Sequence, residues 1–329
     1  MFISVFGAIE SGIIYAIMAL GVYFSFRVLD FPDLTVDGSF VTGAAVAAIG
    51  MLNGVPAILA TLLGALAGFI AGCITGILHT KGKINPLLSG ILMMIALYSI
   101  NLRIMGTPNI SLRNVSTVWV QLQSLWEKTG IDQALNGLLA AIGFARTPST
   151  WAIVFAMIIV VAIIKILVDY YLKTEVGLAL RATGDNKQMI RSFSANTDTL
   201  IIIGIGLSNG LVALSGALIA QYSGFADIGA GIGLIIIGLA SVIIGEALFG
   251  TKTIARTTLA VISGAIIYRI VVVIALRANF LETGDMRLIT AVLVIIALVT
   301  PMYIQGRREK ARRLKKRETL AQQKKAEGV

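Results

Sequence analysis

The chain has 329 residues, 57% hydrophobic and only 13% charged. A soluble protein carries about 25% charged residues, so the composition excludes an ordinary globular domain and leaves an all-α polytopic membrane protein. The net charge of +10 does not argue for nucleic acid, because positions 306–329 hold ten Lys or Arg against three Glu; a basic juxtamembrane tail is a topology signal that also meets anionic lipid.

Residues 4–26 form the first apolar run and carry no basic residue before Arg27, so they read as a span rather than a cleaved signal. RVLDFPDLTVDGS follows, where Pro32 and Gly38 break helix and Asp30, Asp33 and Asp37 bring carboxylates. The next apolar run, 40–52, falls short of the roughly 20 residues a crossing needs. A short run beside an acidic break predicts a discontinuous helix lining a cavity, since irregular backbone at membrane depth is tolerated only there. Span 55–78 carries Gly64, Gly68, Gly72 and Gly76 on one face, a pattern for close helix packing. His79, Lys81 and Lys83 make a basic loop expected to be cytoplasmic, and 87–105 spans again.

Residues 106–150 are expected outside. Trp119, Trp126 and Trp151 are read there as interface anchors, and the segment is long enough to receive a partner. Residues 151–171 return inward and lead to the longest polar interruption of the second half, 173–198. In it, Asp185 is the expected N-cap of a short helix with Gln188 as capping-box partner. Met189, Ile190 and Phe193 share one face, and Lys187 and Arg191 lie opposite. Spans 200–222, 234–249, 258–276 and 288–303 complete the chain, giving about 8–10 transmembrane helices with the short ones counted. The stretches 12–33 and 210–227 echo one another, each running from a Gly-led span into an Asp-bearing break, as paired broken segments do in transport pathways.

The decoys are few. Residues 245–253, GEALFGTKT, nearly spell a phosphate-binding loop, but Thr251 stands where the motif needs Lys. One Cys and one His exclude an intramolecular disulfide, a His-based metal site and a nucleophilic triad, so no catalytic or metal residue is assigned. Asp33, Asp37 and Asp227 have two open roles. They cap helices, Asp37 that of 40–52 and Asp227 the one after it, or with Thr35 and Ser39 they line a translocation pathway. Glu246 is expected to pair with Lys252 or Arg256.

GIIYAIMALGVYFSFRVLDFPDLTVDGSFVTGAA resembles the first spans of ABC-importer permeases of the branched-chain amino acid and ribose type. EVGLALRATGDN with SANT resembles that family's cytoplasmic loop, followed as there by LSNGLVALSGALIAQYSGF and IGLASVIIGEALFG. The pattern is most similar to permeases that work with tryptophan/tyrosine-type binding proteins. It implies a type II-like ABC importer permease, residues 1–305, with a basic cytoplasmic tail at 306–329. It also implies a homodimer in the cell membrane, an extracytoplasmic substrate-binding protein, and separate ABC ATPase subunits that bind ATP and Mg. The helix around Asp185, Lys187, Met189, Ile190, Arg191 and Phe193 becomes the coupling helix, and the solute is expected to be an amino acid, aromatic ones included. The rival readings are a secondary transporter coupled to an ion through the intramembrane Asp residues, and a membrane scaffold that uses 173–198 as a plain docking site.

Overall fold

The computed structural model describes residues 2–141, 147–192 and 196–276, with scattered positions between 288 and 299. Phe193, most of the span read at 288–303, and the basic tail lie outside the described residues. Eight described helices are long and apolar enough to cross a membrane.

Helix α1 (Phe2–Tyr23) runs on through a widened turn, Phe24–Val28, and then breaks. Asp30 takes a left-handed conformation there (φ 49°), which Asp tolerates better than most residues. Helix α2 (Thr35–Leu52) starts earlier than its apolar run suggested, because Asp33 caps it, its Oδ1 accepting from Thr35 N at 2.9 Å. Asp37 therefore lies inside α2 and is not its cap, contrary to expectation.

Helices α3 (Ala57–Thr80) and α4 (Pro86–Met105) form an antiparallel pair, and α3 carries the glycine face. Gly64 sits over the Gly43 carbonyl, Gly68 over Ala213 and the Asn209 carbonyl, and Gly72 over the Ile205 carbonyl. A Cβ at Gly68 would come within 2.2 Å of the Ala213 Cβ. Gly68→Leu is therefore expected to cost about 3 kcal/mol and to remove the monodisperse peak in fluorescence-detected size exclusion, because neither backbone can retreat from so close a crossing. The same substitution at Gly137, which has open space around it, should leave the peak intact.

The outer segment contains a strand the sequence did not suggest. β1 (Asn109–Ser111) pairs antiparallel with β2 (Phe225–Asp227), Ile110 opposite Ala226. Helices α5 (Val118–Trp126) and α6 (Ile131–Ala141) complete that segment. Trp119 is no interface anchor: it is buried and donates through Nε1 to the Leu218 carbonyl at 3.2 Å. Trp126 stacks on Phe155, and Trp151 meets Phe6 edge-on.

Helix α7 (Ala152–Lys173) leads to α8 (Glu175–Asp185), the six-residue α9 (Lys187–Ser192), and the long α10 (Thr197–Ser223). After β2 the chain turns at Ile228–Gly231 into α11 (Leu234–Phe249) and α12 (Ile254–Ala275). The core is built on α1, α2 and α10. Helices α1 and α10 pack antiparallel, with Ser215 Oγ donating to the Ile14 carbonyl (2.9 Å) and Ser208 Oγ to the Gly21 carbonyl (2.7 Å). Helices α3 and α7 bury one side and expose large apolar residues such as Leu62, Leu66, Ile159 and Ile163 on the other, as lipid-facing helices do.

Candidate functional site

Two regions hold the candidate residues: the broken helices in the interior and the polar elbow at one end.

In the interior, Asp33 is fully buried. Besides capping α2, its Oδ2 accepts from Asn209 Nδ2 of α10 at 2.6 Å. Thr35 Oγ1 meets Thr75 Oγ1 of α3 at 2.8 Å, and Ser39 is wholly enclosed. These groups fix the break to its neighbours, and α4 closes over it, since a Cβ at Gly90 would meet Leu34 N at 2.7 Å.

Asp37 acts across space. Its Oδ2 accepts from Gly233 N and its Oδ1 from Ile235 N, both at 2.8 Å, so it caps α11. The chain reaches that point because 225–233 folds back from the strand pair; a Cβ at Gly231 would lie 2.1 Å from the Asp37 carbonyl. Helix α11 thus begins beside the first turn of α2, and both helices start from breaks inside the bundle. Asp227 stays with the strand pair, capping the turn after it (Oδ1 to Gly229 N, 2.6 Å) and accepting from Asn109 Nδ2 at 3.2 Å. The five pathway candidates are therefore not one cluster. Asp33, Thr35 and Ser39 face packed helices, Asp37 borders a cavity, and Asp227 is apart.

That cavity, about 520 Å³, lies between α2, α4 and the turn at Ile228–Ile232. Asp37 and Asn101 are polar groups on its wall, and Met94, Ile95, Tyr98 and Ile232 are among its apolar ones.

At the elbow, Asp185 ends α8 and caps nothing among the described residues. Asn186 is the cap instead, its Oδ1 accepting from Gln188 N (3.1 Å) and Met189 N (3.0 Å). Ile190 is buried while Met189 is 48% exposed, so these two neighbours do not offer one common face. Lys187 is half-buried with Nζ 3.2 Å from His79 Nε2, which ties the elbow to the α3–α4 loop. Burial, followed by the nearby Arg191 guanidinium, pushes the Lys187 ammonium below the usual lysine range. Arg191 donates to Thr197 Oγ1 (3.0 Å) and to Asp198 (3.1 Å). Glu246 pairs with Arg27 at the end of α1, not with Lys252 or Arg256, because the ends of α1 and α11 meet there.

Several intramembrane polar residues escaped the reading of the sequence. Lys165 and Asp169 pair along α7, and Thr258 of α12 donates to Asp169 at 2.6 Å. Gln221 donates to Thr61 Oγ1 (2.8 Å) and accepts from Val118 N (3.0 Å), holding α10, α3 and the outer segment together. The signal was present, since an ionisable pair at i, i+4 inside an apolar run is rare enough to single out. Among the described residues no group of His, Cys, Asp and Glu could hold a metal.

Comparison with known proteins identifies the family. The family described as branched-chain amino acid transport system, permease component, matches residues 4–299. The chain is 42% identical over 296 residues, 90% of each chain, to a tyrosine transport system permease protein of Clostridioides difficile (strain R20291). It is 35% identical over 242 residues to the uncharacterized protein RP368 of Rickettsia prowazekii, covering 74% of this chain and 76% of that one. A shorter stretch of 127 residues is 32% identical to an autoinducer 2 import system permease protein of Yersinia enterocolitica, 38% of this chain and 33% of the other. No solved structure matches significantly. A bundle of membrane-spanning helices whose breaks meet inside it, matched almost end to end by this family, belongs to the permease components of branched-chain amino acid transport systems, and the chain is a multi-pass permease of an ABC transport system.

Proposed function

We propose that this permease imports an amino acid, with aromatic ones the best candidates, across the cell membrane. The observation that carries the solute class is the 42% identity to the tyrosine permease across nine-tenths of both chains. The chain itself performs no catalysis; separate ABC ATPase subunits bind ATP and Mg, and an extracytoplasmic binding protein delivers the solute. Two copies form the pathway, which Asp37 borders.

The elbow of α8 and α9 is the coupling element. It projects polar backbone between two spans, and Met189 offers an exposed apolar contact with Lys187 and Arg191 beside it, which fits the apolar centre and charged rim of protein interfaces. The excess of Lys and Arg in the tail supports a cytoplasmic position for residues 306–329. The elbow shares that side, and so does the end of α1, where Arg27 meets Glu246. The start of α1 is then extracytoplasmic, in keeping with Phe6 on Trp151 and Tyr222 donating to Glu10 at 2.9 Å.

The test is a mild-detergent pull-down of the tagged chain with mass spectrometry, joined to uptake in membrane vesicles. An ATPase recovered with the chain, and uptake driven by ATP and indifferent to an ionophore, support the reading. Recovery of the permease alone under conditions that hold other ABC complexes together, with uptake that collapses in ionophore, overturns it.

A further inference from the structure

A second cavity, about 360 Å³, lies between the end of α1, the elbow helix α8 and the loop that joins α11 to α12. Its size is in the ordinary range of small-molecule sites. Charged side chains make up much of its wall: Arg27 at the end of α1, Arg181 and Asp185 on α8, Glu246 on α11 and Lys252 in the loop. Lys252 belongs to the stretch 245–253 that nearly spells a phosphate-binding loop. Arg27 and Glu246 pair with each other. Arg181, Asp185 and Lys252 have no ion-pair partner among the described residues, although Arg181 and Asp185 are one turn apart on the same helix. Tyr23 is part of the same wall. It is 8% exposed, and its hydroxyl has no hydrogen-bond partner among the described residues. That hydroxyl is not sealed off as the Tyr171 hydroxyl is; it faces the charges of Arg181, Glu246 and Arg27. The mixture of signs selects the ligand. A phosphate group would meet two carboxylates on the wall, whereas a zwitterion satisfies both signs at once.

We propose that this cavity receives the head group of a free amino acid from the cytoplasm. Arg181, Lys252 and the Tyr23 hydroxyl donate to its carboxylate, and Asp185 and Glu246 accept from its ammonium group. The wall is mostly polar, so the side chain of the ligand stays in the open mouth and the site reads the head group alone. The ligand bridges α8 to the end of α1 and to the α11–α12 loop, and so favours the elbow position seen here over any in which these elements part. A rising cytoplasmic amino acid pool then slows import. This brake rests on the importer reading, but the binding has its own test.

The full-length chain carrying Cys73→Ser and Thr251→Cys has a single thiol, on the wall of the cavity. In lipid nanodiscs, L-alanine is expected to slow its alkylation by N-ethylmaleimide saturably, with half effect at about 1 mM, because the bonds are made to partly solvated charges. L-tyrosine should act at a similar concentration. Ethylamine, which lacks the carboxylate, propionate, which lacks the ammonium, and inorganic phosphate should each act about tenfold more weakly or not at all. Arg181→Gln should weaken L-alanine about tenfold and Tyr23→Phe about fivefold. The fold tolerates both, since Arg181 is exposed and Tyr23→Phe removes only a hydroxyl without a partner. In proteoliposomes that hold the permease with its ATPase and binding protein, L-alanine trapped on the ATP side should slow uptake of tritiated L-tyrosine. Tyr23→Phe should raise the concentration needed about fivefold.

No protection of a well-folded chain, equal protection by propionate, ethylamine or phosphate, or undiminished protection in either variant would overturn the site. Uptake indifferent to trapped L-alanine would overturn the brake. The two ideas fail separately. ATP-driven uptake by a chain that shows no protection removes the site alone, whereas protection in a chain with no ATP-driven uptake removes the importer reading and the brake with it.

Discussion

Asp37→Ala abolishes ATP-driven uptake and lowers stability by about 3 kcal/mol, the largest effect expected of any single side chain in the interior. Asp37 accepts the Gly233 and Ile235 N–H groups, and both lose their partner in the variant. Each orphaned, water-excluded donor costs about 1–3 kcal/mol, and loss of the charge at the start of α11 adds the helix-dipole contribution. Asp37→Asn keeps one acceptor and turns an amide against the other N–H, so it should lose roughly half as much. Thermal unfolding of the detergent-solubilised protein reads the stability, and vesicle uptake reads the function. The pair of variants also separates the importer from an ion-coupled carrier. A carboxylate that binds a coupling ion would let Asp37→Asn keep its stability while losing ion dependence. Full stability in both variants would remove the capping role.

Met189→Asp weakens capture of the partner ATPase roughly a hundredfold, about 3 kcal/mol, while leaving the unfolding temperature of the permease alone unchanged. A buried contact at the centre of an interface contributes about 2 kcal/mol or more, and a carboxylate there must also be desolvated. Met189 is 48% exposed, so the free chain loses nothing by the change. Ile190→Asp should behave differently. Ile190 is 8% exposed, so a carboxylate there disrupts the elbow itself and lowers the yield of folded permease. Phe193→Asp is the natural companion, since the sequence puts Phe193 on the same expected face, outside the described residues. Wild-type ATPase capture by Met189→Asp, measured by pull-down and by solute-stimulated ATP hydrolysis, would move the docking surface elsewhere on the chain.

Much of this is legible in the amino-acid sequence. Most described spans followed from run length, although the run 40–52 looked too short to cross and proves part of the 18-residue α2; the glycine face of α3 was read as a packing surface, which Gly64, Gly68 and Gly72 against neighbouring backbone bear out. The expected break after α1 is present, as is the cap Asp227 places on the following turn. The residues misread were those whose partners are distant in sequence. Asp37 looked like a local cap, because periodicity registers what lies within a few residues; its N–H partners are 196 and 198 positions away. Glu246 was matched to the nearest cations, while the fold supplies Arg27, 219 residues distant. Trp119 was read from composition as an anchor, and a single hydrogen bond to Leu218 turns it inward.

The sequence by itself determined that the chain lives in a membrane, how many spans it holds within one or two, where its helices break, and which family it resembles. Those properties follow from local free energies: the transfer of apolar runs into lipid, the steric rules for Gly and Pro, and the need of helix ends for partners. Only the tertiary structure decided that the two breaks meet, that Asp37 anchors α11, and that Met189 and Ile190 part company. The physical reason is that burial and hydrogen bonding inside a bundle are set by which helix lies alongside, and that depends on the packing of all of them together.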